Sequence, residues 1–148
     1  MRDEMIACMT LSVPHPSVLT RVGVEGLLLI WEAEAPLGKA HRFIMQLPDG
    51  MVIGVIGLHA KGDGRYTLGY HVGAQFRGRG YATEAVCAMV DLAWSLGAEE
   101  LYADHFADNP VSGRVLEKAG FAYTGETGER FSLGRGAKAA TLTMKQAA

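Results

Sequence analysis

The chain has 148 residues, 49% of them hydrophobic and 20% charged, with a formal net charge of −2 and a sequence pI near 6.2. That length suits one domain with a core of its own, and the near-neutral charge gives no overall drive toward nucleic acid or anionic lipid. Two cysteines, Cys8 and Cys87, make no disulfide framework and suit a reducing cytoplasm. Asp3 and Glu4 stand where a signal peptide carries basic residues, and the most apolar run, residues 27–31, is far too short to span a bilayer.

In chain order, Met5, Ile6, Met9 and Leu11 fall on one face of a short opening helical segment. Val13-Pro14-His15-Pro16 must run extended, because each proline drives its predecessor out of the helical region. Residues 18–35 read as a helix with Val22, Leu28, Leu29 and Trp31 inward, weakened by Gly23 and Gly26 and ended by Pro36-Leu37-Gly38. Residues 41–47, 51–59 and 65–72 then read as an antiparallel meander, with turns at Pro48-Asp49-Gly50 and Lys61-Gly62-Asp63-Gly64. A loop, Gln75-Phe76-Arg77-Gly78-Arg79-Gly80, leads into a helix whose apolar stripe is Ala82, Ala85, Val86, Met89, Val90 and Ala93. Gly97 caps it, and Cys87, inside its apolar sequence, reads as a small core residue. Residues 101–106 read as a strand parallel to the one before the loop. Asn109 reads as the N-cap of a second helix, with Pro110 at its first position and Gly120 at its end. Residues 121–131 and 139–145 close the chain as a hairpin with a glycine-rich connection. The order predicts one domain over 1–148, an α/β fold around a sheet of mixed direction.

The chemistry concentrates at the glycine loop. A helix that starts there leaves its first N–H groups unpartnered and points the positive end of its dipole at the loop. Gly78 and Gly80 have no Cβ, so a phosphate can approach their amides, and Arg77 and Arg79 add full charges. The bland alternative is a strand end and a solvated basic turn. A dinucleotide site is the rival glycine-motif reading. It fits poorly, because Gly78-x-Gly80-x-x-Thr83 lacks the third glycine and follows hairpins rather than opening a βαβ unit, although Asp104 stands near the place of a ribose-binding acid.

Gln75-x-x-Gly78-x-Gly80 between a strand and a helix resembles the acyl-CoA motif of the GNAT N-acetyltransferases. Downstream, Asn109-Pro110-Val111-Ser112-Gly113-Arg114-Val115-Leu116-Glu117-Lys118-Ala119-Gly120-Phe121 is similar to a segment of the RimJ/RimL-like branch, which acetylates ribosomal-protein N-termini. The two motifs stand in the family's order, and a weaker match lies at Ser12 to Pro16. The resemblance implies a mixed, mostly antiparallel central sheet with helices on both faces. It implies acetyl-CoA as co-substrate and direct transfer to a primary amine, either a protein N-terminus or a small molecule. It places acetyl-CoA against the backbone of Tyr70 and Val72, the loop residues Arg77, Gly78, Arg79 and Gly80, the helix start at Tyr81 and Ala82, and Asn109. Ser112 then lies where its hydroxyl meets the CoA sulfur; a solvent-facing serine is the bland alternative. Arg114 and Lys118 lie beside the 3′-phosphate or form a solvated face.

Family members begin with another strand and helix, so this chain reads as shortened at its front. That makes residues 41–47 a sheet edge and predicts a homodimer through that edge or the N-terminal segment.

The acid–base groups are less legible. Many relatives carry a glutamate where Thr67 stands, and others a tyrosine acid where Leu116 stands. His71 at the strand end is the best-placed base, with His105, Asp104, Tyr123 and bulk water as alternatives. His15, His41, His59, His71 and His105 show no metal-ligand spacing, so no metal is expected. The rival of another class is a catalytically weak acyl-CoA-binding module, suggested by Thr67, Leu116 and the expected short N-terminus.

Overall fold

Asp63 and Gly64 both take left-handed backbone, with φ of 51° and 70°. Two such residues form the tight turn whose twist matches a β-hairpin. In the computed structural model, which describes Leu29, residues 32–132 and residues 135–148, this turn joins β2 (Val52–Gly62) to β3 (Arg65–Val72). β1 (Ala40–Gln46) pairs antiparallel on the other side of β2. After them come α1 (Tyr81–Ser95), β4 (Glu100–Phe106), α2 (Pro110–Lys118), β5 (Ala122–Ser132) and β6 (Ala137–Ala147). The sheet order is β1-β2-β3-β4-β6-β5, and only β3 and β4 run parallel. The predicted four-residue turn is really a two-residue one. β2 continues to Gly62 through a register shift between Ala60 and Gly62.

Both helices stop in the same way. Gly97 donates to the Trp94 carbonyl and Ala98 to the Ala93 carbonyl, each at 3.0 Å; Gly120 and Phe121 repeat the pattern on Glu117 and Leu116. Glycine supplies the positive φ this paired bond requires, 83° at Gly97 and 98° at Gly120. Each motif also folds an apolar residue inward, so Ala98 and Phe121 join Ala93 and Leu116 in the core. There Val86, Met89, Val90 and Ala93 of α1 meet Ile56, Leu58, Leu68, Leu101 and Met144 of the sheet. Leu58, Leu101 and Leu116 are fully buried, and each such side chain contributes roughly 1.5–3 kcal/mol.

α1 and α2 share this one cluster and so lie on the same face. The helix expected over residues 18–35 falls largely outside the described residues, as do the opening segment 1–11 and the extended 13–16. Of that helix, residues 32–34 are helical and Ala35–Leu37 form a 3₁₀ turn. Leu29, expected inward, is 59% exposed. Cys87 is also a correction: it is exposed rather than in the core. It lies about 100° around the helix axis from Val86, outside the arc set by Val86, Met89, Val90 and Ala93.

Gly54 marks the closest approach within the sheet. A Cβ there would lie 2.2 Å from the His71 carbonyl oxygen and 2.6 Å from Met45 Cε. Gly54→Ala must therefore push β2 and β3 apart. The expected loss is about 1–3 kcal/mol or more, read as a lower urea midpoint at unchanged slope. A variant as stable as the parent would refute this account of the glycine.

Candidate active site

β3 and β4 are paired only at Arg65↔Glu100, Tyr66↔Leu101 and Thr67↔Tyr102. Beyond Thr67 the strands part. β3 stays with β2 as far as Gly54↔Val72, and β4 stays with β6 as far as Phe106↔Thr141. A cleft of about 1300 Å³ occupies the gap and is lined from both faces of the sheet.

On one side lies the glycine loop. The short turn Ala74–Phe76 buries Phe76 against Ile53 and Val72, which fixes the loop to the sheet. The first intrahelical bond of α1 runs from Glu84 N–H to the Gly80 carbonyl, 3.0 Å. The N–H groups of Tyr81, Ala82 and Thr83 therefore have no partner within the helix. Gly78 and Gly80 take φ of 74° and 84°, and the space a Cβ would enter at either is open. Free donors, a helix dipole and open space suit the pyrophosphate of CoA. Arg77 does more than add charge: its Nε donates to the Val72 carbonyl, 3.1 Å away, tying the loop back to the strand end.

The first turn of α2 forms the opposite wall. Asn109 occupies the N-cap position, but its side chain makes no capping hydrogen bond, which corrects the sequence reading. Its ψ of 69° falls short of the extended backbone that turns a capping side chain over the first turn. Ser112 is bridged to β3. Its Oγ lies 2.7 Å from Tyr70 Oη, which is also 3.2 Å from the Ser112 carbonyl. Burial raises the Tyr70 pKa above its usual value and the Ser112 bond opposes this, so the phenol stays protonated. A carbonyl only accepts, so the longer contact is donated by the phenol, while either hydroxyl can donate along the shorter one. When the phenol donates along the shorter contact, the Ser112 proton is free to turn toward the cleft. Leu116 is fully buried and carries no chemistry.

Successive residues of β3 face opposite sides of the sheet. Tyr70 therefore turns toward α2, while His71, opposite Val55, turns to the other face of the cleft, here called the mouth. Two other candidates are held in local bonds. His105 is 3% exposed, with Nδ1 2.7 Å from the Phe106 carbonyl and Nε2 3.0 Å from Tyr123 Oη. Since a carbonyl only accepts, Nδ1 carries the proton and Tyr123 donates to Nε2. Asp104 forms an ion pair with Arg130 at 3.0 Å.

The mouth also holds a residue that sequence reasoning passed over. The register shift at Lys61 sets His59 opposite Thr67, the position where many relatives carry a glutamate. A regular ladder continued from Gly62↔Arg65 would have put Ala60 there. Burial lowers the His59 pKa, Arg42 and Lys61 lower it further, and Glu34 opposes. Arg42 itself is paired with Glu34 at 2.6 Å. Among the described residues, no helix is long and apolar enough to cross a membrane, and no three His, Cys, Asp or Glu side chains come together to hold a metal.

The family model described as the Acetyltransferase (GNAT) domain matches residues 6–122, and the chain belongs to that family. It is an acetyl-CoA-dependent N-acetyltransferase. No curated protein sequence matches it significantly. Among solved structures, a Vibrio cholerae protein assigned as a ribosomal-protein-serine acetyltransferase superposes with a TM-score of 0.83 at 16% identity, covering 99% of this chain and 88% of that one. A chimera of the V. cholerae spermidine N-acetyltransferase SpeG with hSSAT gives 0.81 at 16%, covering 99% and 91%. The microcin C7 self-immunity acetyltransferase MccE, in complex with acetyl-CoA and AMP, gives 0.75 at 16%, covering 99% and 81%. Identities this low speak to the fold alone.

The His105–Tyr123 pair is a structural element that can be tested. Tyr123→Phe removes the donor to the buried Nε2, which is expected to cost about 1–3 kcal/mol. The measurement is the melting temperature, and an unchanged value would mean that water replaces the phenol without loss.

Proposed function

We propose that this protein transfers the acetyl group of acetyl-CoA directly to a primary amine in a ternary complex, with residues 1–148 acting as one domain. The observation that carries the proposal is the parting of β3 from β4, with the glycine loop and Ser112 flanking the gap on the helix face of the sheet and the histidine-bearing mouth on the other face. The loop residues Arg77, Gly78, Arg79 and Gly80 and the helix start at Tyr81 and Ala82 hold the pyrophosphate. The backbone from Tyr70 to Val72 and the side chain of Asn109 flank the pantetheine. The amine lone pair attacks the thioester carbonyl; the C–N bond forms, the C–S bond breaks and the electron pair leaves on sulfur. A CoA-like thiol has a pKa near 8.5, so the departing thiolate needs only the Ser112 hydroxyl as hydrogen-bond donor and takes its proton from solvent. The amine proton passes to a mouth histidine, His71 or His59.

The charge at the mouth narrows the acceptor. Arg42, Lys61 and Arg130 line it. Arg42 is paired with Glu34 and Arg130 with Asp104, so these carboxylates are already engaged, and Lys61 adds a cation that disfavours a bound ammonium. Neutralising an α-amine of pKa about 7.7–8.0 at pH 7 costs about 1 kcal/mol, against roughly 4.6 kcal/mol for a lysine-like amine of pKa about 10.4. The acceptor is therefore an α-amine, as at a peptide N-terminus, rather than a polyamine. The cysteine usage, with Cys87 exposed and unpaired, favours the cytoplasm as its compartment.

The test is CoA release with a panel containing alanine- and serine-leading tetrapeptides, free glycine and spermidine. Turnover is expected on the peptides, with the acetyl group on the α-nitrogen by mass spectrometry and a rate at least tenfold lower on spermidine. Ser112→Ala should lower kcat about tenfold, the equivalent of one lost hydrogen bond of about 1.4 kcal/mol. Acetyl-CoA binding without turnover on any amine would overturn catalysis and favour the acyl-CoA-binding module.

The partner we propose is a second copy of the chain. β1 is a sheet edge among the described residues. Its one arginine, Arg42, is tied to Glu34, which leaves a weak deterrent to edge pairing. Leu29, Leu37, Phe43 and Met51, all in or next to β1 and its flanking segments, are exposed. Light scattering at micromolar concentration should give a dimer mass that Phe43→Lys reduces to a monomer. A monomeric parent, or a dimer indifferent to Phe43→Lys, overturns the assignment.

A further inference from the structure

We infer that His59 is the general base of the transfer, and that the acceptor amine sits over a floor formed by Gly57 and Gly69. This inference rests on the acetyl-transfer reading and adds to it the seat of the amine.

Three cross-strand pairs build the site: His59↔Thr67, Gly57↔Gly69 and Val55↔His71. Their alternation puts all six residues on the mouth face. The middle pair has no side chains, so the sheet carries a shallow hollow there with a histidine at each end. A Cβ on Gly69 would enter open space. A Cβ on Gly57 would meet Arg42 Cγ at 3.3 Å and His59 Cε1 at 3.4 Å, so the imidazole leans over the hollow. Thr67 is the last β3 residue paired with β4, so the hollow begins where the sheet opens toward the loop side. An amine resting on it faces the gap through which the thioester must arrive.

The second histidine is the weaker candidate. His71 Nε2 is shut off from solvent, whereas His59 is half-buried and can return a proton to water. The groups around His59 are Arg42 on β1, Glu34 before it, Lys61 on its own strand, Thr67 and His71 on β3, and Tyr102, Asp104 and Arg130 across the cleft. Burial and the charges of Arg42 and Lys61 hold the ring below the ordinary histidine range, against the opposing effects of Glu34 and a hydrogen bond to the Thr67 backbone. It is therefore neutral at neutral pH and able to accept a proton. In the step, the proton leaves the attacking nitrogen for the imidazole as the C–N bond forms and the C–S pair moves to sulfur. The imidazolium then loses its proton to solvent at the mouth.

The experiment measures kcat against pH for the full chain, with acetyl-CoA and an alanine-leading tetrapeptide both saturating. The parent should lose activity on a single-proton acid limb below the ordinary histidine range. His59→Gln should lower kcat about 100-fold and abolish that limb while acetyl-CoA affinity stays within twofold, and added imidazole should restore part of the rate to His59→Ala. Gly69→Ala, whose methyl group fills the hollow and clashes with nothing, should raise the tetrapeptide KM at least tenfold and leave acetyl-CoA affinity alone. An active parent whose limb survives in His59→Gln, or disappears in His71→Gln instead, overturns the assignment to His59. A parent that releases no CoA with any amine overturns the acetyl-transfer reading first, and this one with it.

Discussion

The β3–β4 ladder ends at Thr67 and Tyr102, and the working parts of the molecule are arranged around that ending. Unpaired backbone inside a sheet is unfavourable unless something else satisfies it. The fold limits the exposure to two facing edges, because β3 remains fully paired to β2 and β4 to β6. Three contacts brace the opening. Phe76 is locked against Ile53 and Val72, Arg77 Nε holds the Val72 carbonyl, and the Tyr70 hydroxyl reaches Ser112 on the far wall. The gap is thus a built feature of the chain, with a wall on each side.

Strand alternation then divides the chemistry. Tyr70 and His71 are neighbours in sequence but serve opposite faces. Burial acts on both faces with the same result: it favours the uncharged form, so it raises the phenol and lowers the His59 imidazole. A protonated hydroxyl beside the helix and a neutral imidazole at the mouth are what transfer to an amine requires. Neither residue needs a charged partner to reach that state, and the cations at the mouth reinforce it on the imidazole side.

Most of the fold was legible because it is written in local rules. Asp63-Gly64 dictates a hairpin turn, Gly97 and Gly120 dictate helix ends, and the three- and four-residue steps from Val86 to Ala93 dictate the buried face of α1. What escaped depends on single-residue offsets. Cys87 is one position away from the stripe that would have buried it. Asn109 has the right identity and place for a cap but the wrong ψ. His59 is the most consequential case, since the extra residue at Lys61 flips which β2 side chains share a face with Thr67. No pattern of side-chain types announces such a shift, so a histidine that looked scattered in the sequence lines the site in three dimensions. The loop stood out in the sequence as a candidate site because a helix start leaves its donors exposed wherever it occurs.

The interrupted ladder also bears on how long the molecule lasts. On the reading proposed above, the donor's amide groups lie along the free edge of β3 and supply the rungs that β4 withholds. A ligand that binds only the native state adds RT ln(1 + [L]/Kd) to its stability, about 2.7 kcal/mol at a hundredfold excess over Kd. Melting curves with and without acetyl-CoA read that increment directly, and coincident curves would refute it. Acetyl-CoA would then be a structural component as well as a reactant. A cell depleted of it would hold this protein in a more easily unfolded form, and the lifetime of the protein would follow the metabolic state of the cell.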